Sequence, residues 1–154
     1  ADTLKFTGRY YILDKALHTR GLPWVAVDND RGLLITLDHS KKANELIFYD
    51  IADNMKYVGS VKLSETVRSI QGAEMYGGML YAATNDDTQA VYKIDPKSGE
   101  VSKYFDRNLT KGSEGEGITV LETADGAVFH AIDMGPLFIN AFIRHYAPVE
   151  DGGQ

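Results

Sequence analysis

Three segments of this 154-residue chain repeat a single pattern: a strand, a turn containing glycine, and a more apolar strand. They read WVAVDNDRGLLITLD from Trp24, AEMYGGMLYAAT from Ala73 and ITVLETADGAVFHAI from Ile118, with starts 49 and 45 residues apart. The second strand is followed by NELIFYDI, then QAVYKIDP, then FINAFIRH. In the first two units a polar turn leads on to a fourth, more polar strand, YVGSVKLS or EVSKYF. Few folds build four antiparallel strands, grading from apolar to polar, and then start again.

A period of 40 to 50 residues with four strands per unit is the signature of β-propeller blades. The predicted fold is therefore all-β and antiparallel, with propeller-like four-stranded blades. Alternating strands alone fit a β-sandwich or a barrel as well, and that alternative stays open. Helical periodicity is nearly absent, while Val, Ile, Tyr and Phe recur in short runs bounded by Gly, Asn, Asp and Pro. The spacing predicts one all-β domain over 1–149, with repeat units at 21–66, 67–112 and 113–148. Asp95-Pro96-Lys97-Ser98-Gly99 matches the hairpin joining the outer strands of many blades, where Asp and Gly serve the turn. Ser113-Glu114-Gly115-Glu116-Gly117 reads as a glycine turn that opens the third unit's first strand at Ile118.

Three units are too few for a ring, since propellers have about four to eight blades. An open arc exposes apolar faces and strand edges, which invites association. The expected partners are copies of the same chain or the remainder of a longer propeller. Residues 4–13 read as a further strand, placed to complete the last unit, which stops early at Tyr146-Ala147-Pro148. The polar, glycine-rich tail 150–154 reads as disordered.

Composition removes several functions. The net charge of −6, with 16 scattered basic residues, argues against nucleic acid, whose binding rests on neutralising phosphates. No stretch approaches the roughly 18 apolar residues of a membrane-spanning helix, so no membrane role is expected. The absence of cysteine excludes disulfides, thiolate nucleophiles and Cys-ligated zinc. A start at Ala1 fits either a mature exported chain or a piece of something longer. Export, periplasmic or secreted, is the reading favoured.

Chemistry is sought where strands end. The second strands close on Asp38-His39, on Asn85-Asp86-Asp87 and on Asp133, and Glu116 precedes the third unit's first strand. Such oxygen donors suit a hard cation. The run GEGITVLETADGAVFHAID resembles the blade start of calcium-dependent propellers, namely the phytase-like proteins and the gluconolactonase or senescence-marker lactonases. The likeness covers about residues 70–146. It implies a metal at the channel mouth with Glu116 as a ligand; Asn85, Asp133 and Asp38 join it from topology, with calcium as the cofactor. The competing reading of Glu116 is a solvated turn carboxylate, and of the other three, strand-end caps.

Of the four histidines, His39 beside Asp38 is a candidate ligand-binding residue, although neighbours on a strand point to opposite faces. His130 sits in an apolar strand and reads as a core or channel imidazole. Trp24, after Gly21-Leu22-Pro23, is the candidate exposed aromatic for a small-molecule ligand. The nine tyrosines and six phenylalanines otherwise read as packing between sheets. No serine sits in a nucleophile elbow, and no phosphate loop precedes a helix. Two functions follow: a non-catalytic ligand- or protein-binding and assembly module that self-associates, or a calcium-assisted hydrolase of a lactone, ester or phosphate ester.

Overall fold

A computed structural model describes residues 4–39, 43–124 and 126–147. Eleven strands form three antiparallel sheets. The first sheet is a meander of β1 (Ala26–Asp28), β2 (Leu33–Thr36), β3 (Ala43–Asp50) and β4 (Lys56–Val67). The second repeats it with β5 (Ile70–Tyr76), β6 (Met79–Thr84), β7 (Ala90–Ile94) and β8 (Val101–Asp106). The third holds β9 (Glu114–Thr123), β10 (Gly126–Met134) and β11 (Ala141–Tyr146). A short 3₁₀ turn, Pro136–Phe138, links the last two strands.

Turn chemistry sets the hairpins. Tyr76 pairs with Met79 across Gly77 and Gly78, both at positive φ (56° and 75°), the conformation a two-residue hairpin loop demands. At the second sheet's outer turn, the Asp95 carboxylate accepts the Lys97 N–H at 2.8 Å and the Ser98 hydroxyl at 2.9 Å. Those bonds hold the Asp95 carboxyl below the ordinary carboxylate range. The turn also clasps its neighbour: the Ser64 N–H on β4 donates to the Gly99 carbonyl at 2.8 Å.

The sheets stack face to face, with β5 packed between β1 and β9. Period-two alternation then divides the second sheet's side chains between two cores. Leu80, Ala82, Ile94 and Val101 meet Trp24, Ile35, Leu37, Leu46, Phe48 and Leu63 of the first sheet and its lead-in. Tyr81, Ala83 and Val91 meet Ile118 and Phe129 of the third. A bulge in the β7–β8 pairing between Val91 and Tyr92 brings the consecutive residues Tyr104 and Phe105 both against Phe129, at 5.4 and 6.2 Å between ring centroids.

Three expectations change. Residues 4–13 form no strand, and the third sheet stops at three strands. Their side chains are among the most exposed of the molecule, Leu4 at 96%, Phe6 at 80% and Ile12 at 81%; despite the strand-like composition they pair with none of the three sheets. The glycines of SEGEG also make no turn. Glu114 already pairs with Met134 inside β9. Gly115 is buried and a Cβ there would strike the Arg107 guanidinium; a Cβ on Gly72 would lie 2.7 Å from the Gly117 Cα. Close approach of β9 to the second sheet, not chain reversal, requires glycine at 115 and at 72, whereas a Cβ on Gly117 would meet nothing. Finally, Trp24 is no exposed platform. It is 7% exposed and packs in the first core. The tail 150–154 lies outside the described residues.

Candidate functional site

Three of the four candidate metal ligands lie in one neighbourhood, between the second and third sheets. Asp133 lies near the end of β10, Asn85 directly follows β6, and Glu116 lies on β9. Their centre is occupied by a guanidinium. Arg107, just after β8, has a fully buried side chain whose Nη1 is 2.6 Å from Asp133 Oδ1. Its Nη2 donates to the Thr84 carbonyl at 2.6 Å and its Nε to the Gln89 carbonyl at 2.7 Å. The Nε of the half-exposed Arg144 lies 2.9 Å from Asp133 Oδ2. Asn85 turns its Oδ1 to the Gly115 N–H at 3.3 Å.

Glu116 is half-buried. Burial pushes its carboxyl above the ordinary range; Glu114 and Asp133 add to the rise and Arg107 opposes it. A carboxyl raised in the folded state supports stability below its unfolded pKa, and that support is lost as pH rises through the folded value. Glu116→Gln should therefore raise the melting temperature at pH 7, and the gain should vanish near pH 4. A variant that melts lower at pH 7 would mean that the charge of Glu116 is favoured where it stands.

Asp38 sits apart, with the segment that precedes β1. It accepts the Thr19 hydroxyl and the Arg20 N–H, both at 2.9 Å. Burial opposes its ionisation, yet these two donors with the charges of His18 and Arg20 hold its carboxyl below the ordinary range. His39 is exposed and its N–H donates to the Gly21 carbonyl at 2.9 Å. His130 forms an edge-to-face pair with His145 at 4.6 Å between ring centroids.

Calcium does not fit this donor set. Asp133 is already neutralised by two arginines, Asp38 serves a different turn, and a buried guanidinium holds the position that a cation would need. Among the described residues no group of three or more His, Cys, Asp or Glu side chains is placed to hold a metal ion. Sequence reasoning missed Arg107. An arginine in the polar stretch Phe105-Asp106-Arg107-Asn108 carries no mark of burial.

No protein-family profile matches the chain, and no curated protein sequence does. Solved structures do match. Hydrazine synthase of Kuenenia stuttgartiensis aligns over 81% of this chain and 33% of its own, at 17% identity and a TM-score of 0.52. Saccharomyces cerevisiae Sqt1 (12% identity, TM-score 0.44) is covered over 28% of its length by 75% of this chain. The Myceliophteria thermophila Cps50 (Swd1) β-propeller domain (15% identity, TM-score 0.41) is covered over 36% by 73% of this chain. The chain thus spans about a third of the length of each. Three successive antiparallel meanders, stacked with their first strands together, decide the architecture. The chain folds as propeller blades.

Among the described residues, two surfaces at the third blade stand open. The third blade turns Phe129 and Ala131 toward the second blade. On its opposite face it shows Leu121 at 55%, Ile132 at 48% and Ile143 at 68% exposure, the last two paired across β10 and β11. Beside it, a groove of about 390 Å³ is lined by Tyr104, Phe105, Phe129, His145, Tyr146 and Ala147. It runs between the outer strands of the second and third blades, β8 and β11. Neither surface is visible as such in the sequence, because which face of a strand is left uncovered depends on how many sheets stack.

Proposed function

We propose that this chain is a non-catalytic binding and assembly module, an arc of three blades that completes a ring with a second copy. The observation that carries the reading is the open apolar face of the third blade, at Leu121, Ile132 and Ile143. The middle blade supports this reading: both of its faces are buried against neighbouring sheets. Two arcs of three blades make six, inside the range in which propellers close, whereas three stand below it. Apolar surface of this size on a single face favours association.

The polar node supports the same reading. Arg107 spends its donors on Asp133 and two carbonyls, which ties the second and third blades together. The rival, a calcium-assisted hydrolase of a lactone, ester or phosphate ester, follows from the resemblance of residues 70–146 to phytase-like and gluconolactonase propellers. It would need Glu116 and Asp133 to face a cation.

Light scattering decides the assembly. At micromolar concentration the expected particle is twice the 17.0 kDa of one chain. The pair Leu121→Lys and Ile143→Lys, both at exposed positions, should return it to a single-chain mass with its β-sheet circular dichroism unchanged. A wild-type particle of one chain across the micromolar range overturns the proposal. Calcium separates the rival: saturating calcium is expected to leave the melting temperature unmoved, since only a bound cation shifts it by mass action.

A further inference from the structure

The third blade lacks its fourth strand, and the chain carries an unused one. The first two blades have four strands and the third has three, so the outer edge of β11 is unpaired among the described residues. The aromatic groove lies where a fourth strand would close the joint. In the first joint, the second blade's outer strand β8 supplies Val101 to the core. In the second joint, the third blade has no such strand among the described residues, and Tyr104, Phe105 and Tyr146 line open space instead.

Residues 4–13 read Leu-Lys-Phe-Thr-Gly-Arg-Tyr-Tyr-Ile-Leu. Leu4, Phe6, Tyr10 and Ile12 share one parity and are all exposed; the other parity holds Lys5, Thr7 and Arg9, then Tyr11 and the half-buried Leu13. Over residues 4–10 this is the period-two pattern of a strand with one face buried. Here those apolar side chains stay exposed.

The chain's own third blade is out of its reach. The segment that follows is anchored on the first blade: His18 Nε2 lies 2.7 Å from the Tyr49 hydroxyl, and Thr19 and Arg20 bind Asp38. Tyr49 alternates along β3 with Leu46 and Phe48 of the first core, so the anchor lies on the face turned away from the second blade. Two sheet spacings of about 10 Å then separate it from the third blade. Residues 14–18 are closed into a turn, the Leu17 and His18 N–H groups both donating to the Asp14 carbonyl, so they add little reach. Pairing along β11 takes about six residues, and the four left before Asp14 span at most roughly 14 Å.

We propose that Leu4–Leu13 of one copy adds to the free edge of β11 in the next copy, as the outer strand of its third blade. Leu4, Phe6, Tyr10 and Ile12 then enter the groove beside Tyr104, Phe105, Phe129 and Tyr146, and Lys5, Thr7 and Arg9 face water. The inference rests on the proposed self-association, because only a neighbouring first blade delivers the segment to this edge. It adds something that reading lacks: a backbone-paired strand between the two chains.

The chain has no cysteine, so an introduced pair supplies the only thiols. Tyr10→Cys or Ile12→Cys is combined with Tyr146→Cys in the full chain and oxidised under native conditions, and the products are resolved on a denaturing gel. A covalent product of two chains, with at least one of the two pairs, is the expected result. In parallel, the double variant Phe6→Asp, Tyr10→Asp should weaken association at least tenfold, and hydrogen exchange should show the 4–13 amides protected only in the assembled form. A bond closed within one chain would overturn donation between copies. A native two-chain particle with no cross-link and unprotected 4–13 amides would overturn strand donation and leave the proposed assembly standing. A single-chain particle would remove both.

Discussion

Asp133→Ala should destabilise the fold by about 3–5 kcal/mol, the range for breaking a buried ion pair by removing one partner. For a chain of this size that is a fall in melting temperature of roughly 6–20 °C. The cause is what remains rather than what is lost. Arg107 keeps a fully buried guanidinium, with two carbonyl partners but no counter-charge. Arg144 cannot help, since it brings a second positive charge to the same carboxylate. Adding Arg107→Met should recover part of the loss, because an apolar side chain of similar length needs no counter-ion. Recovery stays incomplete, as the Thr84 and Gln89 carbonyls then lose their donor. Urea unfolding of the two single variants and the double variant completes the cycle. A loss under about 1 kcal/mol for Asp133→Ala would mean that water reaches the guanidinium, and the joint between blades would not be the dry one described here.

Phe129→Ala should cost a similar amount, about 3–5 kcal/mol for a buried phenylalanine, but its effect should be local. Phe129 is 2% exposed and stands at the centre of the second core, with Tyr81 at 4.9 Å, Tyr104 at 5.4 Å and Phe105 at 6.2 Å between centroids. It contributes nothing to the first core. Sheets that touch only their neighbours add their stabilities pairwise, so the third sheet should open while the first two hold. Hydrogen exchange reads this directly: amides of β9, β10 and β11 should lose protection in the variant and those of β2 and β6 should keep it. A uniform loss across all three sheets would show that the arc unfolds as a single unit.

Much of the architecture was legible because strand and turn signals are local. Apolar runs of five or six residues placed β6, β7 and β8 within a residue, and the Asp95 turn behaves as its composition dictates. The errors share a different cause, which is contact at long range. Gly115 and Gly117 carry a turn's composition, yet they sit in a strand, where the buried Arg107 leaves no room for a side chain at Gly115. Residues 4–13 carry a strand's composition, and a strand without an edge is only an exposed segment. Asp133 looks like a strand-end ligand until the residue 26 positions earlier in the chain is found bonded to it. Counting strand ends singled out Asn85, Glu116 and Asp133, which the fold brings into one neighbourhood; the arginine at its centre was not legible, because nothing in a single sequence separates a buried arginine from a solvated one. The default reading of the aromatics as packing between sheets holds for Tyr81, Phe105 and Phe129.

The double burial of the middle sheet has a consequence for how the three repeats are able to drift apart. In β6 both parities are committed, Leu80 and Ala82 to one side, Tyr81 and Ala83 to the other. Selection there has no free register, and substitutions should be rare at odd and even positions alike. In an end repeat with nothing on its outer side, every second residue is released and variation should oscillate with a period of two. The outward residues of the third repeat, Leu121, Ile132 and Ile143, are therefore a historical record. If among natural homologues they change as slowly as Phe129 and Ala131, ancestral chains also kept that side covered.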